Sequence, residues 1–485
     1  MPFLTRFLSC PLHLQQSESI FVNYLLNYPM SEERLEQHMK QAVLNIKYEY
    51  NEGRLSAISL LTTMIQKLPL PVLQQHCQLF FLPLTLQLAN DDSKECREAI
   101  AKCLSKLMER LETDVLQSLY DYTERWSKGE GALRRTSIQL YGIFVESRVD
   151  FLKRGDTATR LLKRLEQILK ESQQDEWEAA YFALICLEKL SLPFNDLFER
   201  QTDIWPLIIL CLKNDHPWVR LASSRIVSKY LSSKDSKTVC SKKSQSFLLA
   251  VPGSLFQIAR NLCYQINSDE SEQNNDLTAF AIKSLTWVLE AASAHPQLCY
   301  SNDDEAAERK RDPVLWIMTR LSNIARPRGT QRRQAVYKCF ATFATLASDI
   351  CAQHLELVIE PLHRSEVETR NELEVPALLQ KRRPEEDTVS EEAQLAKDVL
   401  HLLEEHCDSQ DTFLQAYAAV KTRARDKKDR RKLEVKTQAI VDPENAAKRR
   451  IQKQEGEKKR RKKRKEEKRI LHGGTKRRHM NLDMD

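Results

Sequence analysis

Asn214 to Leu231 reads NDHPWVRLASSRIVSKYL, the start and body of one helix. Asp215 stands at or just before the N-cap, where a carboxylate can accept backbone N–H bonds. Pro217 fits the first turn, where its missing N–H costs nothing. Val219, Ala222, Ile226 and Tyr230 recur at helical spacing and form one apolar stripe. Immediately upstream, residues 204–212 (IWPLIILCL) are apolar on nearly every face, as a buried partner helix would be. Lys213 and Asn214 leave room for only a very short turn, so the two helices are expected to pack antiparallel.

The same opening recurs along the chain. Arg54 (RLSAISLL), Arg97 (REAIAKCL) and Arg135 (RTSIQLYG) each begin a run of small and apolar residues, and Glu178 (EAAYFALI) does so with the charge reversed. Ala279 (AFAIKSL) and Arg333 (RQAVYKCF) continue the series. From Arg54 to Arg220 the anchors lie 43, 38, 43 and 42 residues apart, then 59 and 54 to Ala279 and Arg333. HEAT and armadillo units run about 40–47 residues. Three of the first four intervals fall in that range and one falls just short. The two long ones fit polar insertions at 232–246, 268–276 and 301–312. Spacing alone would arise in many helical proteins; an anchor charge kept in register is a stronger sign of repeats. The pattern resembles the second helices of HEAT repeats.

Composition agrees. Glycine is only 10 of 485 residues, too few for Gly-rich phosphate loops, hairpins or β-sandwich turns. Strong helix formers dominate and no run of alternating β-branched residues appears. The expected class is all-α, a HEAT/armadillo-like α-solenoid. No apolar run reaches the roughly 20 residues that would span a bilayer, so no membrane partner is expected. The start, MPFLTRFLSCPLHLQQ, lacks the long apolar core of a secretory signal and is broken by Pro11. It reads as the remnant of a helix packed on something upstream, and no polar cap of the kind a first repeat needs is present, so the chain is expected to be a piece of a longer solenoid. Twelve cysteines are scattered without a C-x-x-C pair and read as buried small hydrophobes of a reducing compartment.

Four regions follow: HEAT-like helical repeats over 1–362, a charged linker over 363–392 broken by Pro376 and Pro384, terminal helices over 393–420, and a basic tail over 421–485. Within the first, Ser31 is expected to cap a charged helix over 31–50. The tail holds 26 Lys and Arg against 11 Asp and Glu, a net +15 in a chain of net +7, which leaves −8 on residues 1–420.

The conspicuous candidate site lies in that tail. Lys458, Lys459, Arg460, Arg461, Lys462, Lys463, Arg464 and Lys465 are eight consecutive cations, preceded by Lys448, Arg449 and Arg450. Such a run repels itself and is expected to be extended or nascently helical when free. Against a phosphate backbone it gains affinity by releasing counterions. No aromatic residue follows Lys421, so base stacking is absent and RNA binding would be largely sequence-blind. The same run also reads as a nuclear-localisation signal, and as a solvated tail. A secondary basic patch, Arg326, Arg328 and Arg332, sits in the turn before a repeat helix, and a solvated turn beside an anchor Arg explains it equally well.

No catalytic or cofactor site is expected. Cys351 and His354, or His406 and Cys407, have no matching second pair for zinc. No G-x-S-x-G, P-loop or H-E-x-x-H occurs. His216, before Pro217, reads as a capping or surface group.

Residues 439–450 (AIVDPENAAKRR), preceded by Lys427–Lys432 and followed by the cationic run, resemble the tail of the component-20 family of the small-subunit processome, also called Down-Regulated In Metastasis. The stretch at 214–231 resembles the last repeats of that family. The resemblance implies a non-catalytic scaffold in nucleolar small-subunit ribosome biogenesis, supporting 18S pre-rRNA processing. Its implied partners are pre-rRNA, small nucleolar ribonucleoprotein and other processome subunits, with no small-molecule substrate. Family members are several times longer, so the match is to their C-terminal portion. The alternative function is a HEAT-repeat nuclear transport-type adaptor that binds basic cargo on an acidic face.

Overall fold

The helix that decides the fold opens where its sequence suggests, with Asp215 just before the N-cap. His216, not Asp215, is the N-cap of Pro217–Ser232, and its Nδ1 accepts the Trp218 N–H at 3.3 Å. An imidazole lone pair here takes the capping role that Ser, Asn and Asp side chains more often fill. Val219, Ala222, Ile226 and Tyr230 are all buried, as their spacing requires. Ser31 caps its helix as expected, accepting the Arg34 N–H.

The computed structural model describes residues 11–172, 176–240, 247–267, 275–300, 312–327, 331–373, 386–407 and 410–445, together with 447–448, 451–452, 454–456, 458–459 and 462. Among these there is helix and no strand. The parts of the polar insertions at 241–246, 268–274 and 301–311 lie outside the described residues.

The chain divides into two units, Met1–His406 and Cys407–Asp485. The first is a row of helix pairs. After α1 (Pro11–Asn27), α2 (Glu32–Leu44) pairs with α3 (Asn51–Lys67). A short α4 (Leu70–Gln75) leads into α5 (Cys77–Asn90) and α6 (Lys94–Arg110). The pair α7 (Thr113–Ser127) and α8 (Gly131–Ser147) follows. Next come α9 (Val149–Leu152), then α10 (Thr157–Glu171) with α11 (Trp177–Leu190). Then α12 (Asn195–Arg200) precedes α13 (Ile204–Cys211) and α14 (Pro217–Ser232). The later pairs are α16 (Ser254–Ile266) with α17 (Asn275–Ala294), preceded by α15 (Phe247–Ala250), and α18 (Pro313–Ile324) with α19 (Gln331–Leu346). The last are α21 (Leu355–Leu373) and α22 (Glu386–Glu405), preceded by α20 (Ser348–Gln353). Helix therefore extends into both ends of the charged 363–392 stretch.

The second helix of each pair packs on that of the next, in the series α3, α6, α8, α11, α14, α17, α19, α22. Between these rows lie fully buried large side chains such as Phe80, Phe144, Trp205 and Phe340. Trp205 stacks on Phe247 at 4.2 Å between centroids and so joins two successive units.

The anchor arginines explain the repeat. The Nη1 of Arg54 donates to the carbonyls of Tyr48 and Glu49, at 3.2 and 3.0 Å. Arg97 Nη1 reaches Asp91 and Asp92 carbonyls at 2.6 and 3.0 Å. Arg220 Nη1 reaches those of Asn214 and Asp215 at 2.8 and 2.9 Å. In all three the acceptors stand six and five residues upstream, in the turn entering the helix. These carbonyls fall outside the helical ladder, so a charged donor there satisfies groups that burial would otherwise penalise. Arg333, only 1% exposed, does the same across a longer turn, bonding Ala325 and Arg326 carbonyls at 2.9 and 3.2 Å. Arg135 departs from the pattern and pairs with Glu178, the charge-reversed anchor of the next unit.

A second set of donors links successive units. Arg110 donates to the Ile65 carbonyl near the end of α3. Arg148 donates to those of Met108 and Leu111 at the end of α6, at 3.1 and 2.5 Å. Trp287 Nε1 donates to Lys234 just past α14 at 2.8 Å. Each bond satisfies carbonyls that a helix leaves unpaired at its C-terminal end.

Candidate nucleic-acid interface

Unit two is dominated by one helix, α23 (Gln410–Val441), 32 residues and so about 48 Å long at 1.5 Å per residue. It runs without a break across Lys421, where the composition changes. Lys, Arg, Ala, Leu, Glu and Gln sustain a helix by propensity alone, so the change in charge does not end it. Every residue from Lys421 to Gln438 is exposed. Lys421, Arg425, Lys427, Lys428, Arg430 and Arg431 therefore stand in solvent with few carboxylates among them; Lys432 pairs with Asp429 at 3.2 Å. Asp442 ends this helix and accepts the Asn445 N–H at 3.0 Å.

Of the sequence-predicted cations, Lys448, Lys458, Lys459 and Lys462 are exposed and helical. Helical backbone at the last three agrees with the nascently helical alternative for this run, since Lys is a good helix former. Arg449, Arg450, Arg460, Arg461, Lys463, Arg464 and Lys465 lie outside the described residues. In the secondary patch Arg326 is exposed, Arg332 is half-buried and engaged, and Arg328 lies outside the described residues. Their neighbour Arg333 is a buried anchor, held by Glu392 at 2.7 Å and Glu368 at 3.0 Å. The cations from Lys421 to Lys436, which the sequence places in the basic tail without marking them as a site, are as exposed as the described ones further on; their interleaving with Asp426, Asp429 and Glu434 hid them behind the denser run.

The remaining chemistry is quiet. Burial pushes the Cys103 thiol up to about 11, and those of Cys186, Cys211, Cys263 and Cys299 up to about 12. Thiols held so far above neutrality are poor nucleophiles and poor metal ligands. Among the described residues no group of three or more His, Cys, Asp or Glu is placed to hold a metal ion, and no helix is long and apolar enough to cross a membrane.

A row of helix pairs stacked through their second helices, with a turn-capping arginine in register, defines a HEAT-type helical-repeat protein. Residues 81–111, which span most of α5 and all of α6, match the HEAT repeat itself. The chain belongs to the family described as small subunit processome component 20 homolog, C-terminal, which matches residues 133–468. It is similar to U3 small nucleolar RNA-associated protein 20 of Saccharomyces cerevisiae, 23% identical over 451 residues, covering 90% of this chain and 17% of that protein. The protein of the same name from Schizosaccharomyces pombe is 27% identical over 227 residues, covering 44% of this chain and 9% of that protein. The chain thus spans less than a fifth of either relative. Among solved structures it is similar to a chain from a structure of Kap95p with RanGDP, at 10% identity and a TM-score of 0.48, covering 82% of this chain and 46% of that one.

Proposed function

We propose that this chain is a non-catalytic scaffold segment in small ribosomal subunit biogenesis, supporting 18S pre-rRNA processing within the small-subunit processome. Its family and its similarity to two U3 small nucleolar RNA-associated proteins support this reading. Its partners are then pre-rRNA, small nucleolar ribonucleoprotein and other processome subunits, and its place is the nucleus and nucleolus. The helix pairs supply surfaces for subunits. The tail supplies an RNA grip and a nuclear-localisation signal, with Lys448–Arg450 and Lys458–Lys465 as its densest cations and Arg326, Arg328 and Arg332 as a secondary contact.

The observation that carries the RNA grip is the exposure of every residue from Lys421 to Gln438 on a cationic helix. Charges left in solvent cost the fold little and remain available to phosphates. Crosslinking in cells tests it, with the full chain compared to a full-length variant in which the Lys and Arg residues of 421–465 are Gln and an unrelated localisation signal is appended. Crosslinks to small-subunit precursor RNA that vanish in the variant support the reading. Crosslinks that persist would move RNA binding to the helix pairs, and no precursor RNA with either chain would end the ribosome-assembly reading.

A further inference from the structure

The N-terminal ends of α11 and α14 lie side by side and carry a cluster of rings that the packing of the unit does not use up. Trp177 stacks on His216 with centroids 3.6 Å apart and planes 6° from parallel. Trp218 stands edge-on to both, 5.5 Å from each. Tyr181 closes the group at 5.9 Å from Trp218. The cluster is rigid: His216 is tied to the Trp218 N–H as the α14 cap, and Pro217 fixes the backbone between them. Yet Trp218 remains 56% exposed. A large indole held in one orientation in water is an expensive surface for a fold to keep and a cheap one for a partner to bury, since little side-chain freedom is left to lose.

We propose that this cluster is a docking surface for an extended arginine-bearing segment of a partner protein. Charge selects that occupant. Asp215, next to the capping histidine, is exposed, whereas Glu178, one residue from Trp177, is already engaged by Arg135. Residues 1–420 are net −8. Carboxylates beside aromatic faces repel phosphates and attract guanidinium groups, which lie flat on indole and phenol rings. The fold already makes this contact elsewhere: the Arg125 guanidinium sits 4.8 Å from the centroid of the Tyr122 ring. The inference concerns α11 and α14 alone and does not depend on what the tail binds.

The test uses the full chain and three probes: an eight-residue peptide with alternating arginines, the same peptide with the arginines replaced by citrulline, and an oligouridine of equal length. Binding is followed by calorimetry in moderate salt. The arginine peptide is expected to bind, Trp218→Ala to weaken it about fivefold or more, and Asp215→Asn to weaken it about twofold. Trp218→Phe, which keeps an aromatic face, should recover part of the affinity. Because Trp218 is more than half exposed, its replacement should leave the thermal unfolding midpoint within a degree or two, which separates damage to the docking surface from damage to the fold. Equal affinity of wild type and Trp218→Ala for the arginine peptide would overturn the proposal. So would equal binding of the citrulline peptide, or oligouridine binding that Trp218→Ala abolishes, since the cluster would then be a base-stacking platform.

Discussion

Arg333 and Arg425 are the same side chain put to opposite uses. Arg333 is 1% exposed and divides its guanidinium among two backbone carbonyls and two carboxylates. Arg425 stands in water on α23. Their neighbours decide the difference. Around Arg333, Ala335, Val336, Phe340 and Phe343 give the helix an apolar face to bury, and the arginine goes in with it. Around Arg425 the sequence is Lys, Thr, Ala, Asp and more Arg, with no face to bury, so nothing compensates for stripping water from a charge. A repeat arginine is thus structural because it is surrounded by apolar periodicity, and Arg425 stays in solvent because it is not.

The comparison breaks most sharply at Arg333. Arg333→Ala leaves Glu392 buried against an empty site, and should cost about 4 kcal/mol, seen as loss of amide-exchange protection through α21 and α22. Arg54→Ala should cost about 3 kcal/mol by urea unfolding, because Asp91 is almost fully buried beside it.

That pair also carries a pH signature. Burial pushes the Asp91 carboxyl up, but hydrogen bonds from Gln87, Arg54 and the Ser93 N–H, with the Arg54 charge, outweigh it and hold it below the usual carboxylate range. The stability it lends is therefore complete above the ordinary Asp value of about 4 and is lost as pH falls through the lower folded value. Urea midpoints measured from neutral to acid pH should fall less steeply in Asp91→Asn than in wild type.

Arg220→Ala removes charged bonds to two carbonyls and should cost about 2 kcal/mol in the same assay. At the far end of the scale, Arg425→Ala, Lys428→Ala and Arg431→Ala should each change stability by less than about 0.5 kcal/mol. Each should instead flatten the salt dependence of single-stranded RNA binding, by about 0.7 in the logarithmic slope for every phosphate the variant no longer neutralises.

Much of this was legible in the residues. The apolar stripe from Val219 to Tyr230, the cap at Ser31 and the anchors at Arg54, Arg97, Arg220 and Arg333 all follow from local pattern, because helix periodicity and turn chemistry are written within a few residues. Three features were not. The continuity of α23 through Lys421 was hidden because a change of charge looks like a boundary when propensity says otherwise. The ring cluster joins Trp177 to Trp218 across 41 positions, and the bonds from Arg110 and Arg148 end on backbone atoms, which carry no sequence signature.

Those last bonds bear on how such a chain can change over generations. A carbonyl oxygen is supplied by whatever residue occupies the position. Met108 and Leu111 could mutate to many other helix-compatible residues and still receive Arg148, as far as this bond is concerned. Only the donor's identity is constrained. Units joined this way can therefore drift apart almost everywhere while a single donor side chain, Arg110, Arg148 or Trp287, keeps neighbours coupled, and an array can lose much of the resemblance between its own parts without coming undone.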